Sequence, residues 1–143
     1  MTVELPREIR DRVPAPHALR VGLRRPELPK AGELAAFCAQ DGSPAVEGGP
    51  AWIRLAWRPG LDTLLVLLDE GKGPAHLGFD HALVVESGLA KACFLAAYFI
   101  ARRCGGVVQV RQRAKGLAAG AFAERYLDDE DLDARWERAT GTG

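Results

Sequence analysis

Thirteen residues from Leu89 to Ala101, LAKACFLAAYFIA, carry one charge, Lys91. A membrane-spanning helix needs about 20 apolar residues, so this run is too short to cross a bilayer. It predicts a buried helix over residues 88–104. Ser87 is placed to cap its start and Gly105 to end it, and Arg102 and Arg103 suit the negative end of the helix dipole. At about 100° per residue, Leu89, Cys93, Ala96, Ile100 and Cys104 form one stripe. Lys91 and Arg102 lie opposite, yet Phe94, Leu95 and Tyr98 flank them. A helix with apolar residues beside its charged side needs cover there too. Either other segments of the chain supply it, or Leu95 and Tyr98 form a partner-binding surface.

The neighbouring segments alternate with the two-residue period of strands. In HALRVGLR (17–24), His17, Leu19, Val21 and Leu23 take one side and Arg20 and Arg24 the other. In AWIRLAWR (51–58), Ile53, Leu55 and Trp57 oppose Trp52, Arg54 and Arg58. TLLVLLD (63–69) is apolar on both sides, as a central strand is. GVVQVRQR (106–113) reads as a further strand with Arg111 and Arg113 on its polar side, and PKAGELAAFCAQ (29–40) as a short helix. DGSPAVEGGP (41–50) reads as a loop, and ALVVE (82–86) as a short strand before the long helix.

The order β-α-β-β-α-β predicts an α+β, ferredoxin-like (split βαβ) fold: a four-stranded antiparallel sheet with two helices on one face and the other face open. The expected organisation is an extended N-terminal arm (1–16), an α+β domain (17–113) and a C-terminal helical extension (114–143) with Asp128 as a helix cap. On the open face the alternation gathers Arg20, Arg24, Trp52, Arg54, Arg58, Arg111 and Arg113 as candidate partner-binding residues. Arg and Trp are enriched at protein interfaces. The competing reading pairs these arginines with the acidic stretch at 128–133 of the same chain.

Charge separates the function classes further. Lys+Arg and Asp+Glu are equal at 19 each, which disfavours a nucleic-acid partner. Residues 17–24 and 63–69 also lack the aromatic side chains with which sheet-type RNA readers stack bases. The zero sum hides segregation. Residues 87–123 hold six basic side chains and no acid, whereas 124–143 hold seven acids against three arginines. The three cysteines, Cys38, Cys93 and Cys104, show no metal-binding or redox spacing and read as buried free thiols. MTVELPREIRDRVP has no apolar core of a secretory signal, so a cytoplasmic protein without a membrane association is expected.

No nucleophile elbow, phosphate loop, dinucleotide fingerprint or zinc-protease motif occurs. The best catalytic candidate is HLGFDH (76–81), in which His76, Asp80 and His81 are types that ligate metals or move protons. Their spacing follows no recognised motif, and no cofactor or metal is expected.

The hairpin WIRLAWRPGLDTLLVLLD and the helix-turn-strand GLAKACFLAAYFIARRCGGVVQV resemble segments of small cytosolic immunity proteins of bacterial polymorphic-toxin systems. The resemblance implies a non-catalytic inhibitor that binds a cognate toxin tightly and needs no cofactor. The leading expectation is therefore a binding module for an acidic protein partner, a toxin in the immunity reading. The alternatives are a ferredoxin-like ligand-binding or regulatory domain acting as a homodimer, and an enzyme using His76 and His81.

Overall fold

Alternating apolar side chains build one sheet, and the mostly apolar helix of residues 90–104 packs on it. The computed structural model describes residues 6–11, 15–25, 27–39, 44–58, 62–69, 79, 81–110, 116–128 and 130–141. In chain order the elements are α1 (Arg7–Arg10), β1 (His17–Leu23), α2 (Ala31–Cys38), β2 (Ala45–Gly49), β3 (Trp52–Arg58) and β4 (Asp62–Asp69). They continue with β5 (His81–Ser87), α3 (Ala90–Cys104), β6 (Val107–Gln109), β7 (Leu117–Ala118), α4 (Ala119–Tyr126) and α5 (Leu132–Thr140).

The sheet has seven strands in the order β2-β3-β4-β5-β1-β6-β7, and every pairing is antiparallel. The ferredoxin-like expectation of four strands and two helices is therefore wrong. Two segments account for most of the difference. AVEGG, set between Pro44 and Pro50, looks like a loop but pairs along its whole length with β3 as an edge strand. ALVVE, expected as a short strand, is part of β5, which spans seven residues and sits in the middle of the sheet between β4 and β1. The N-terminal arm, read as extended, contains the single helical turn α1.

One face of the sheet carries Leu19, Val21, Ile53, Leu55, Leu64, Val66, Leu83, Val85 and Val108 into the main core. Helices α2 and α3 supply Leu34, Phe37, Cys38, Cys93, Leu95, Phe99 and Ile100 from above. Leu95 is fully buried and Tyr98 is 6% exposed, so the outer side of α3 is covered by its own chain. Phe94 meets Phe122 and Tyr126 of α4, with ring centres 6.0 and 5.5 Å apart. Tyr98 stacks on Phe37 of α2, and Trp136 of α5 packs against Phe37 and Phe99. Arg102 is held between the Trp136 ring, 3.9 Å from its guanidinium, and the Tyr98 hydroxyl, to which it donates at 3.1 Å.

Polar contacts fasten the C-terminal helices. The last carbonyls of a helix have no partner within it. At the end of α2, those of Phe37 and Ala39 accept hydrogen bonds from Nη1 of Arg135, at 2.8 and 3.0 Å. Arg135 also pairs with Glu130 at 3.4 Å, and Glu130 pairs with Lys91 of α3. Lys91 holds the Glu130 carboxyl below the usual carboxylate range. Asp131, not Asp128, caps α5 by accepting from the Ala134 N–H at 3.0 Å.

Gly105 ends α3, and the chain then passes close over β1. A Cβ at Gly106 would lie 2.3 Å from the Gly22 carbonyl oxygen, a backbone atom that cannot step aside. Gly106→Ala is expected to cost about 3 kcal/mol, because the clash forces β6 off β1; urea unfolding measures the loss. Arg135→Ala leaves two carbonyls without a donor and is expected to cost about 1–3 kcal/mol. Arg135→Lys, with one cationic centre in place of a fork, should recover only part of it in the same assay.

Candidate functional site

The second face of the sheet carries the sequence-predicted residues that the structure brings together. Side chains of one face line up in rows across paired strands. Glu47, Arg54, Leu65, Glu86 and Ala18 form one row across β2, β3, β4, β5 and β1. Gly49, Trp52, Leu67, Val84, Arg20 and Gln109 form the next, reaching β6. Arg20, Trp52 and Arg54 therefore share a face, with β4 and β5 between the two arginines. Three strand spacings separate β3 from β1, about 14 Å.

This face has an apolar floor. Trp52, Leu65 and Leu67 are each 7–8% exposed, and Ile9 of α1 joins them in a second buried cluster at 2% exposure. The indole of Trp52 lies over Gly49, where an added Cβ would come within 2.4 Å of its Nε1 atom. Arg54 borders the floor and donates to Oε1 of Glu47 through Nη2 at 2.7 Å and Nε at 3.2 Å. Such a cross-strand pair contributes little to stability, about 0–1 kcal/mol. Arg20 is half-buried, two strands from Leu67 in the same row. Glu86, 7% exposed, stands between Leu65 and Ala18.

The other candidates are placed differently. Arg24 leaves the strand and lies in the bend after β1, its guanidinium 5.3 Å from the centre of the Phe79 ring. Arg58 ends β3 opposite Asp62, and its side chain lies outside the described residues, as do Arg111 and Arg113 altogether. Leu95 and Tyr98 are buried under α2 and the C-terminal helices, so they offer no open surface in this chain. The acidic tail does not pair with the sheet arginines through its described residues. Glu130 binds Lys91 and Arg135, and Asp133 approaches Arg102 at 3.5 Å, all on the helical side.

Sequence reasoning missed Ile9, Leu65 and Leu67. The signal for the leucines was present in TLLVLLD: a strand apolar on both sides needs cover on both sides. For Ile9 the only signal is an isolated β-branched residue in a charged segment, which is too common to single out.

Of the catalytic candidates, His81 is half-buried at the start of β5 opposite Leu23, while His76 and Asp80 lie outside the described residues. Among the described residues no group of three or more His, Cys, Asp or Glu side chains could hold a metal ion. Among the same residues no helix is long and apolar enough to cross a membrane. The cysteines are free thiols. Burial pushes Cys38 up to about 12, Cys93 to about 12 and Cys104 to about 11. The Glu86 charge adds to the effect at Cys93, whose Sγ lies 3.5 Å from the Val85 carbonyl oxygen. Nucleophilic cysteine chemistry needs the thiolate, so these thiols are poorly suited to it near neutral pH.

Compared with protein-family models, curated proteins and solved structures, the chain matches none.

The thiol reading has a direct check. Native protein at pH 8 is expected to react with a thiol-specific disulfide reagent at least about 100-fold more slowly than free cysteine, whose pKa is about 8.5. Cys104, the one half-buried thiol, should react first, and denaturant should release all three. Rapid reaction at Cys38 in folded protein would contradict its burial.

Proposed function

We propose that this chain is a non-catalytic protein-binding module, an immunity-type inhibitor that engages an acidic partner through the second face of its sheet. The observation that carries the reading is the shared placement of Arg20, Trp52 and Arg54 on one face, around the floor of Leu65 and Leu67. Tight interfaces draw on a few desolvated aromatic and arginine anchors, with charge steering the encounter. Trp52, 8% exposed, backs this face from beneath, so the arginines are the groups that reach a partner. Arg54 supplies a planar fork suited to a carboxylate, and it already engages one, that of Glu47, which is 54% exposed. The toxin-directed version rests on the resemblance of the hairpin and of the helix-turn-strand segment to immunity proteins.

The test is titration calorimetry with any toxin-like domain found encoded beside the gene. Arg20→Glu with Arg54→Glu is expected to weaken binding about 30-fold, roughly 1 kcal/mol per arginine, while the melting temperature stays close to that of the unaltered protein. Undiminished affinity would place the contact surface elsewhere. Failure of the unaltered protein to bind any such domain would remove the immunity reading.

A further inference from the structure

We propose that the open edge of the sheet at β2 is a binding site for an extended strand that carries a basic side chain opposite Glu47. The site is separate from the sheet face assigned above and stands without that reading. The backbone phase of β2 follows from one bond. The Leu68 N–H donates to the Ala51 carbonyl at 2.9 Å, so these two form a hydrogen-bonded pair at the start of the β3–β4 ladder. Hydrogen-bonded and open pairs alternate along an antiparallel ladder. Ile53 and Leu55 therefore turn their N–H and C=O groups toward β4, while Trp52, Arg54 and Ala56 turn theirs toward β2. The register partners of the latter, Gly49, Glu47 and Ala45, bond back to β3. Val46 and Gly48 are left with their N–H and C=O groups pointing away from the sheet, of which β2 is the terminal strand. Both residues are exposed, and their outward groups meet no partner among the described residues.

Such an edge is a template for one more strand, and its side chains select which. Arg54 donates twice to Oε1 of Glu47, and Oε2 accepts no hydrogen bond among the described residues. The Glu47 side chain is 54% exposed. On an added antiparallel strand, the residue facing Glu47 makes an open pair with it, the kind in which side chains approach most closely. A Lys or Arg there continues the Arg54–Glu47 row with alternating sign. A second copy of this chain fits worse. The register that bonds Val46 to Gly48 of the copy sets Glu47 against Glu47, a like-charge pair. A shifted register sets Pro44 or Pro50, which have no N–H, against a free residue. Val46 shares the side of its partner Leu55 and, among the described residues, is the one large hydrophobic side chain that is exposed, at 45%. Aliphatic residues on either side of the basic one would cover it. The occupant is thus a short partner strand that reads aliphatic, basic, aliphatic.

The experiment is an NMR titration of the full, isotope-labelled chain with the peptide acetyl-STVKVTS-amide, whose Lys falls opposite Glu47 and whose valines fall opposite Val46 and Gly48. Saturable shifts are expected at the Val46 and Gly48 amides, which would donate to the peptide. The same peptide with Glu in place of Lys should bind about fivefold more weakly, and Glu47→Lys protein should reverse that preference. Val46→Pro removes an outward N–H and no bond to β3, a change that edge strands tolerate. It is expected to keep the melting temperature of the unaltered protein and to weaken peptide binding at least about tenfold. Loss of cooperative melting in Val46→Pro would show that this N–H serves β3, and would overturn the proposal. So would equal affinity for the two peptides, or no saturable shift at β2 with peptide at about 1 mM. Self-association of the unaltered chain in sedimentation, abolished by Val46→Pro, would give the edge to a second copy and overturn the occupant named here.

Discussion

Helix α3 needs apolar cover over most of its circumference, and the architecture follows from that demand. Nine of its residues are buried, from Ala92 to Ala101. A helix of this kind cannot rest on a sheet with its back to water. The sheet takes the side of Cys93, and α2 takes Tyr98 through Phe37. The aromatic pair Phe122 and Tyr126 closes over Phe94. The charged residues that interrupt the helix become attachment points: Lys91 meets Glu130, Arg102 meets Asp133 and Trp136, and Arg103 reaches Glu33 on α2. The basic segment and the acidic tail are thus partly complementary parts of one packing arrangement.

Strands whose side chains alternate between water and core were legible from sequence. Trp52–Arg58 and His17–Leu23 lie within a residue of where period-two patterning puts them. Ala45–Gly49 was not legible, because its two glycines and flanking prolines are loop signals. Its strand state comes from pairing with β3, which no local pattern reports. It remains an edge, with Val46 45% exposed, and its short length between prolines limits further pairing. The sheet order also escaped sequence reasoning, since it depends on β1 entering between β5 and β6, a long-range choice with no signature in either segment.

The candidate site divides in the same way. Period two was enough to say that Arg54 and Trp52 share a side of their strand. It could not say that the neighbouring leucines make that side apolar, nor that a distant isoleucine would sit on it. Of the six guanidinium groups expected on an open face, Arg20 and Arg54 lie beside a small apolar floor and Arg24 lies in the bend after β1, while the side chains of Arg58, Arg111 and Arg113 lie outside the described residues.

Arg135 ties α5 to the end of α2. The hydrogen bond from its guanidinium to the Phe37 carbonyl spans 98 positions. During synthesis α2 leaves the ribosome with its terminal carbonyls uncapped, and the cap arrives only 98 residues later. Closure of so long a loop is slow, so the native packing of α2 and α3 waits for α5. A growing chain must stay soluble through that interval with α3 already made and its outer aromatics still bare, a period when chaperones would matter most.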